Sequence, residues 1–234
     1  PAVAVIPSEH FNTVLYTGTG SSLAITGVGF QPDFTWTKSR SNALNHNVYD
    51  AIRGATKMLK PNLTAEEGTD AQSLKTFDSD GFTVGTDTHI NTNGATFVSW
   101  NWLANGSGSA NTTGSINSTV SANVDAGFSI VSYTGTGSAG TVGHGLSAAP
   151  ELVIVKQRST AGNHWVTWHA SVCSGSQFLY LDDTGTINTH GPIWNSTVPS
   201  STVFNVGTDN QTNKSTDSLI AYCFHSVDGY SKVG

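Results

Sequence analysis

The feature that most narrows the possible folds of this chain is an internal repeat. Tyr16-Thr17-Gly18-Thr19-Gly20 recurs 117 residues later as Tyr133-Thr134-Gly135-Thr136-Gly137. Lys38-Ser39-Arg40-Ser41 returns as Lys156-Gln157-Arg158-Ser159, and Asn45-His46 as Asn163-His164, both at an offset of 118. Thr56-Lys57-Met58-Leu59 aligns with Ser176-Gln177-Phe178-Leu179 at 120. Phe82-Thr83-Val84-Gly85-Thr86-Asp87 returns as Phe204-Asn205-Val206-Gly207-Thr208-Asp209 at 122, and Trp100 and Trp102 fall on Tyr222 and Phe224 at the same offset. The offset only grows, as loop insertions require, and the order of blocks never changes. Each copy holds about 100 residues, enough for one core.

Three segments follow. Residues 1–106 form a first module and 127–234 a second. The tract between them, 107–126, is rich in Gly, Ser, Asn and Thr, has no apolar period, and reads as a flexible or extended exposed linker. Gly229-Tyr230-Ser231-Lys232-Val233 resembles Gly127-Phe128-Ser129-Ile130-Val131, so the first strand of a third copy, or a strand closing a sheet of the second module, is expected there. With a start at Pro1, the sequence reads as a segment or processed form of a longer modular chain.

The composition says what each copy is made of. Charged residues are 11% of the chain and the formal net charge is −6. Gly, Ser, Thr and Asn together supply roughly 100 of the 234 residues. No basic excess is present to replace counterions on a phosphate backbone, which argues against nucleic-acid partners. No apolar run approaches the length of a membrane-spanning helix, no signal peptide opens the chain, and two Cys are too few for a disulfide scaffold. Six Trp, ten Phe and six Tyr can fill a core, which disfavours disorder.

Period-two blocks bounded by turn residues then predict about six strands per copy, hence an all-β sandwich. Expected strands are Phe11–Tyr16 and Phe128–Tyr133, Phe34–Lys38 and Leu152–Lys156, His46–Asp50 and Trp165–His169, Lys57–Lys60 and Phe178–Leu181, Gly81–Val84 and Val203–Val206, and Ala95–Leu103 and Leu219–His225. Leu63–Gln72 is the one helix-like stretch, with a Thr64–Glu67 capping-box spacing, but the second copy lacks its counterpart and the segment reads as a surface turn. Trp100, Trp102, Tyr222 and Phe224 alternate and are assigned to the core.

The repeat also sorts candidate chemistry, because residues shared by both copies serve architecture more often than catalysis. Asp78-Ser79-Asp80-Gly81 resembles the start of a Ca²⁺ loop, but no closing carboxylate follows and a β-turn explains the same residues. The His and Cys spacings fit no zinc site. Asp182-Asp183 diverge on a strand, and Glu66-Glu67 sit in a loop as solvated charge, so a glycosidase pair is not indicated. No metal, cofactor or catalytic residue is expected. The shared Lys38 and Lys156, Arg40 and Arg158, and Asn45 and Asn163 with His46 and His164 could line a polar groove, but read rather as makers of strand-end hydrogen bonds. The ligand-site candidates are His164, Trp165, Trp168, His190 and Trp194, of which only His164 has a like residue, His46, in the first copy. Aromatic faces stack on sugar rings while imidazole edges bond hydroxyls, and the same residues could form a module or subunit interface. Trp165 and Trp168 are three apart and cannot both face one core from a regular strand, so one of them is expected at the surface or at an interface.

The strings Gly27-Val28-Gly29-Phe30-Gln31-Pro32-Asp33-Phe34-Thr35-Trp36-Thr37-Lys38-Ser39-Arg40-Ser41, Arg53-Gly54-Ala55-Thr56-Lys57, Phe77-Asp78-Ser79-Asp80-Gly81-Phe82 and Gly127–Gly137 resemble the repeated modules of structural proteins from marine tailed bacteriophages. The resemblance covers nearly the whole chain. It implies jelly-roll or concanavalin-like sandwich modules in an exposed tail-fibre or spike component at the virion surface. It further implies other virion proteins as partners, self-association into trimers or arrays, and contact with host-surface glycans. A capsid head-decoration or head-fibre protein and a glycan depolymerase are the alternatives. The resemblance carries no catalytic residues over.

Overall fold

A computed structural model describes residues 5–234. The fold is nearly all β, 40% strand and 7% helix, in antiparallel sheets, as composition and period predict. The chain divides into two compact units. One comprises Ile6–Asn62 and Glu67–Ser107; the other includes Leu63–Glu66 and Gly108–Gly234.

The first unit contains β1 (Phe11–Thr17), β2 (Leu23–Ile25), β3 (Phe34–Ser39), β4 (Asn47–Asp50), β5 (Lys57–Met58), β6 (Gly68–Thr69), β7 (Leu74–Asp78), β8 (Gly81–Val84), the single-turn α1 (Thr88–Asn91) and β9 (Thr96–Trp102). Its main sheet runs β1-β9-β3-β4 and a smaller one β2-β8-β7. Between them Val14, Tyr16, Ile25, Tyr49, Leu74, Phe82, Val84 and Ile90 form one apolar cluster. Alternation explains the membership: Val14 and Tyr16 lie two apart on β1, so they share a face.

The second unit contains β10 (Ser109–Asn111), β11 (Ser118–Asn123), β12 (Phe128–Thr134), β13 (Gly140–Gly143), β14 (Leu152–Gln157), β15 (Val166–His169), β16 (Gln177–Tyr180), β17 (Asn188–Thr189), α2 (Gly191–Trp194), β18 (Val203–Val206), α3 (Asn210–Asn213) and β19 (Ser218–Phe224). Its sheet order, β10-β11-β12-β19-β14-β15-β16-β17, contains the run β12-β19-β14-β15 that matches β1-β9-β3-β4 of the first unit. The pair β13-β18 matches β2-β8. Its core gathers Val131, Tyr133, Val153, Val155, Trp168, Phe178, Trp194, Phe204, Leu219, Ala221 and Cys223.

Four expectations are corrected. The tract 107–126 is not a free linker, because it supplies β10 and β11. Val120 enters the second core, and β11 completes a six-pair ladder against β12. Polar composition hid this strand: with Val120 and Ala122 as its only apolar residues, a saturated backbone ladder holds it more than side-chain burial does. Second, Leu63–Gln72, read as a surface turn, is not helical but is more than a turn, since it carries the two-residue strand β6. Third, Gly229–Val233 joins no sheet and makes the single bridge Val227–Ser231. Fourth, the alternating aromatics of the last strands share a face, but it is the one opposite the main core. On β19 Leu219, Ala221 and Cys223 enter that core, while Tyr222 is buried on the other side against Trp165.

Candidate functional site

Residues shared by both copies converge on one buried clamp. The Asn91 Nδ2 donates to the carbonyls of Ser21 and Gly85, both at 2.6 Å, and Asn91 Oδ1 accepts the Thr19 N–H at 2.8 Å. Asn213 repeats this with Ser138 and Gly207, both at 2.7 Å, and with Thr136 N–H at 2.8 Å. Tyr16 and Tyr133 hydroxyls donate to the Ile90 and Thr212 carbonyls. Asp87 and Asp209 cap α1 and α3 by accepting N–H groups two residues on. Gly18 and Gly135 pass so close to the Thr92 and Lys214 carbonyls that any Cβ would strike them. The repeated Tyr-Thr-Gly-Thr-Gly and Gly-Thr-Asp strings are thus two halves of one loop lock. Sequence reasoning missed Asn91 and Asn213, although the 122 offset that aligned Asp87 with Asp209 also aligns them.

Other singled-out residues are likewise architectural. Asp80 accepts the N–H groups of Gly27 and Gly29, which hold its carboxyl below the usual carboxylate range, and Asp78 accepts from Thr83 Oγ1. That is a braced turn. Among the described residues no group of three or more His, Cys, Asp or Glu could hold a metal. Arg53 pairs with Asp50 and with Glu67 and donates to the Lys57 and Val48 carbonyls. Glu67 is therefore an ion-pair partner, not the solvated loop charge its sequence position implied. Lys156 is fully buried; its ammonium donates to the carbonyls of Asn163 at 2.5 Å and Thr64 at 3.3 Å. Burial lowers its pKa to about 8, against the opposing pull of Asp182.

The five ligand-site candidates separate into two groups. Trp165, Trp168 and Trp194 are 1%, 5% and 2% exposed. Trp168 and Trp194 belong to the core, and Trp168 donates its indole N–H to the Ser174 carbonyl at 3.1 Å. Trp165 stacks on Tyr222 on the opposite face. The odd spacing does send Trp165 and Trp168 to opposite faces, but both faces are covered there, so neither ring can serve as a stacking platform. His164 and His190 do reach the surface, with side chains 35% and 53% exposed.

These two imidazoles end a chain of polar contacts that the sequence did not reveal. His164 Nδ1 lies 3.0 Å from Asp182 Oδ2, whose other oxygen accepts the Trp165 N–H. The His164 ring stacks on Tyr180 at 4.1 Å and 22°. Tyr180 hydroxyl accepts from Gln211 Nε2 at 3.2 Å, and Gln211 N–H binds Asp209, whose second oxygen lies 3.3 Å from His190 Nε2. Each imidazole thus sets one ring nitrogen against a carboxylate oxygen while part of its ring reaches the surface. The result is a polar strip with an aromatic step at one end, able to bond hydroxyls and to stack on a ring. Elsewhere in the same unit, a recess of about 250 Å³ is lined by Asn117, Ser118, Thr119, Ser132, Thr134 and Ser218.

Fold and site together define an all-β protein whose two units repeat one strand order and one loop lock. The chain belongs to the family described as a domain of unknown function, DUF7483, whose profile matches residues 6–234. Searches of curated proteins and of solved structures found no match.

Proposed function

We propose that this chain is a non-catalytic structural component of a tailed-bacteriophage particle, exposed at the virion surface as part of a tail fibre or spike. In this reading its second unit contacts host-surface glycans through His164, Tyr180, Gln211 and His190. The sequence resemblance carries the virion assignment, and one observation carries the glycan contact. The buried loop lock is built from repeated residues, whereas the strip as a set occurs in the second unit alone: His46 matches His164, but Lys60, His89 and Asp70 stand in place of Tyr180, Gln211 and His190. Sugar recognition uses such a combination of ring faces and hydroxyl-bonding edges.

Two measurements test the reading. Antibody labelling of intact particles in the electron microscope is expected to mark the tail; a regular lattice of label on the head refutes the tail assignment. On a glycan array, His164→Ala and Tyr180→Ala are each expected to weaken binding of the full chain about tenfold, the loss of one good contact. Unchanged binding in both variants removes the strip as the site.

A further inference from the structure

Among the described strands β1 is the longest at a sheet edge, and other edges are shorter or guarded. Edge strand β7 carries Lys75 and a bulge between Leu74 and Thr76. Strands β10 and β17 have three and two residues, and β4 is bridged from Val48 to Leu59. Strand β1 has seven residues, Phe-Asn-Thr-Val-Leu-Tyr-Thr, with no charge, no Pro and no bulge. Unpaired strands of that kind template pairing with another chain, which is why proteins ordinarily blunt them.

The second unit shows what this edge looks like when covered. There β12, the counterpart of β1, pairs with β11 over six residues. Its inward side chains Ser129, Val131 and Tyr133 are 0%, 0% and 3% exposed. The matching Asn12, Val14 and Tyr16 remain only half-buried. The outward position contrasts as well: Leu15 is 59% exposed on the open edge, while covered β12 carries Ser132 there. Solvent exposure alone would select the reverse. Backbone direction is settled by neighbouring bonds. Leu103 N–H to His10 O and Gly18 N–H to Ala95 O turn the even-numbered groups toward β9. Thr13 N–H points the other way, to Asn12 Oδ1 at 2.9 Å. The groups of Phe11, Thr13, Leu15 and Thr17 therefore line the open edge.

We propose that the β1 edge docks a second copy of this chain through that copy's own β1, antiparallel about a two-fold axis. The second copy is the occupant because the longest uncharged, unbulged edge among its described strands is the same strand. Centring the ladder on Val14 sets Thr13 against the partner's Leu15 and Asn12 against the partner's Tyr16. This register joins edge group to edge group and keeps each inward residue on the core face. The joined sheet has eight strands, β4-β3-β9-β1 and its mirror order, the same number as the sheet of the second unit. The interface is isologous, as a closed two-fold dimer requires. It stands independently of any glycan contact.

Sedimentation velocity over a concentration series tests it on the full chain. The parent is expected to dimerise. Leu15→Lys, which adds an edge charge, and Thr13→Pro, which removes an outward N–H without touching the β9 ladder, are each expected to weaken association by at least about tenfold. Circular dichroism checks that both variants keep the sheet signal. Amide exchange at Leu15 and Thr17 should be slow in the dimer and fast in Leu15→Lys. A parent that stays monomeric, or a dimer indifferent to both substitutions, overturns the proposal. So does a monomer in which these amides are protected, since another segment of the same chain then covers the edge.

Discussion

At the scale of single residues, the strongest demands fall on Asn91 and Asn213. Each is fully buried and has its side-chain oxygen and nitrogen bound to three backbone groups of neighbouring loops. Replacing Asn213 by Ala leaves the Thr136 N–H and the Ser138 and Gly207 carbonyls without that partner, which should cost about 2–4 kcal/mol. Urea unfolding of Asn213→Ala should show a lowered midpoint with the slope retained, and Asn91→Ala should behave alike; a change within about 0.5 kcal/mol removes the lock from the account. These positions were legible in principle, because the repeat aligns them. Exposure of the Trp side chains was not. Spacing states which side of a strand a residue takes, but only packing states whether that side is covered, and at Trp165 and Trp168 both sides are.

At the scale of elements, β11 is the instructive case. Twelve strand positions expected from alternation and turns appear in the structure near their expected bounds, from β1 through β19. All but the two-residue β5 bury or half-bury Val, Ile, Leu or aromatic side chains, so their periodicity is visible. Strand β11, Ser-Thr-Val-Ser-Ala-Asn, offers only Val120 and Ala122 to the core, and its stability comes from a ladder that composition cannot display. Val120→Asp places a carboxylate in that core without a partner and should cost about 3 kcal/mol or more. Limited proteolysis of this variant should cut within 107–126 much faster than in the parent. A free linker would be cut equally fast in both.

At the scale of the whole molecule, pH dependence tests the packing of the second unit. His144 is fully buried, accepts the Leu146 N–H on Nδ1 and lies 3.1 Å from the Ser200 carbonyl through Nε2, which therefore carries the proton. Burial, with His225 nearby, lowers its pKa below the ordinary 6.5. The unfolded chain thus binds the proton first as the solution is acidified, so stability falls as pH drops from about 6.5 toward the lowered value. His144→Gln should flatten that acid limb in thermal melts; an unchanged limb assigns it to other groups.

The sequence by itself determined the strand-rich class and the two-fold repetition of motifs. Both are local or self-referential properties, written in alternation, turn residues and slowly growing offsets. Tertiary structure alone decided which polar residues lock loops, that a Thr- and Ser-rich tract completes a sheet, and that three of five candidate ligand residues are sealed inside. The physical reason is that burial and hydrogen-bond partners are set by residues distant in the chain. His164 meets Tyr180 and Asp182, and Asn213 meets Ser138 and Gly207, only because the sheet order folds those segments together.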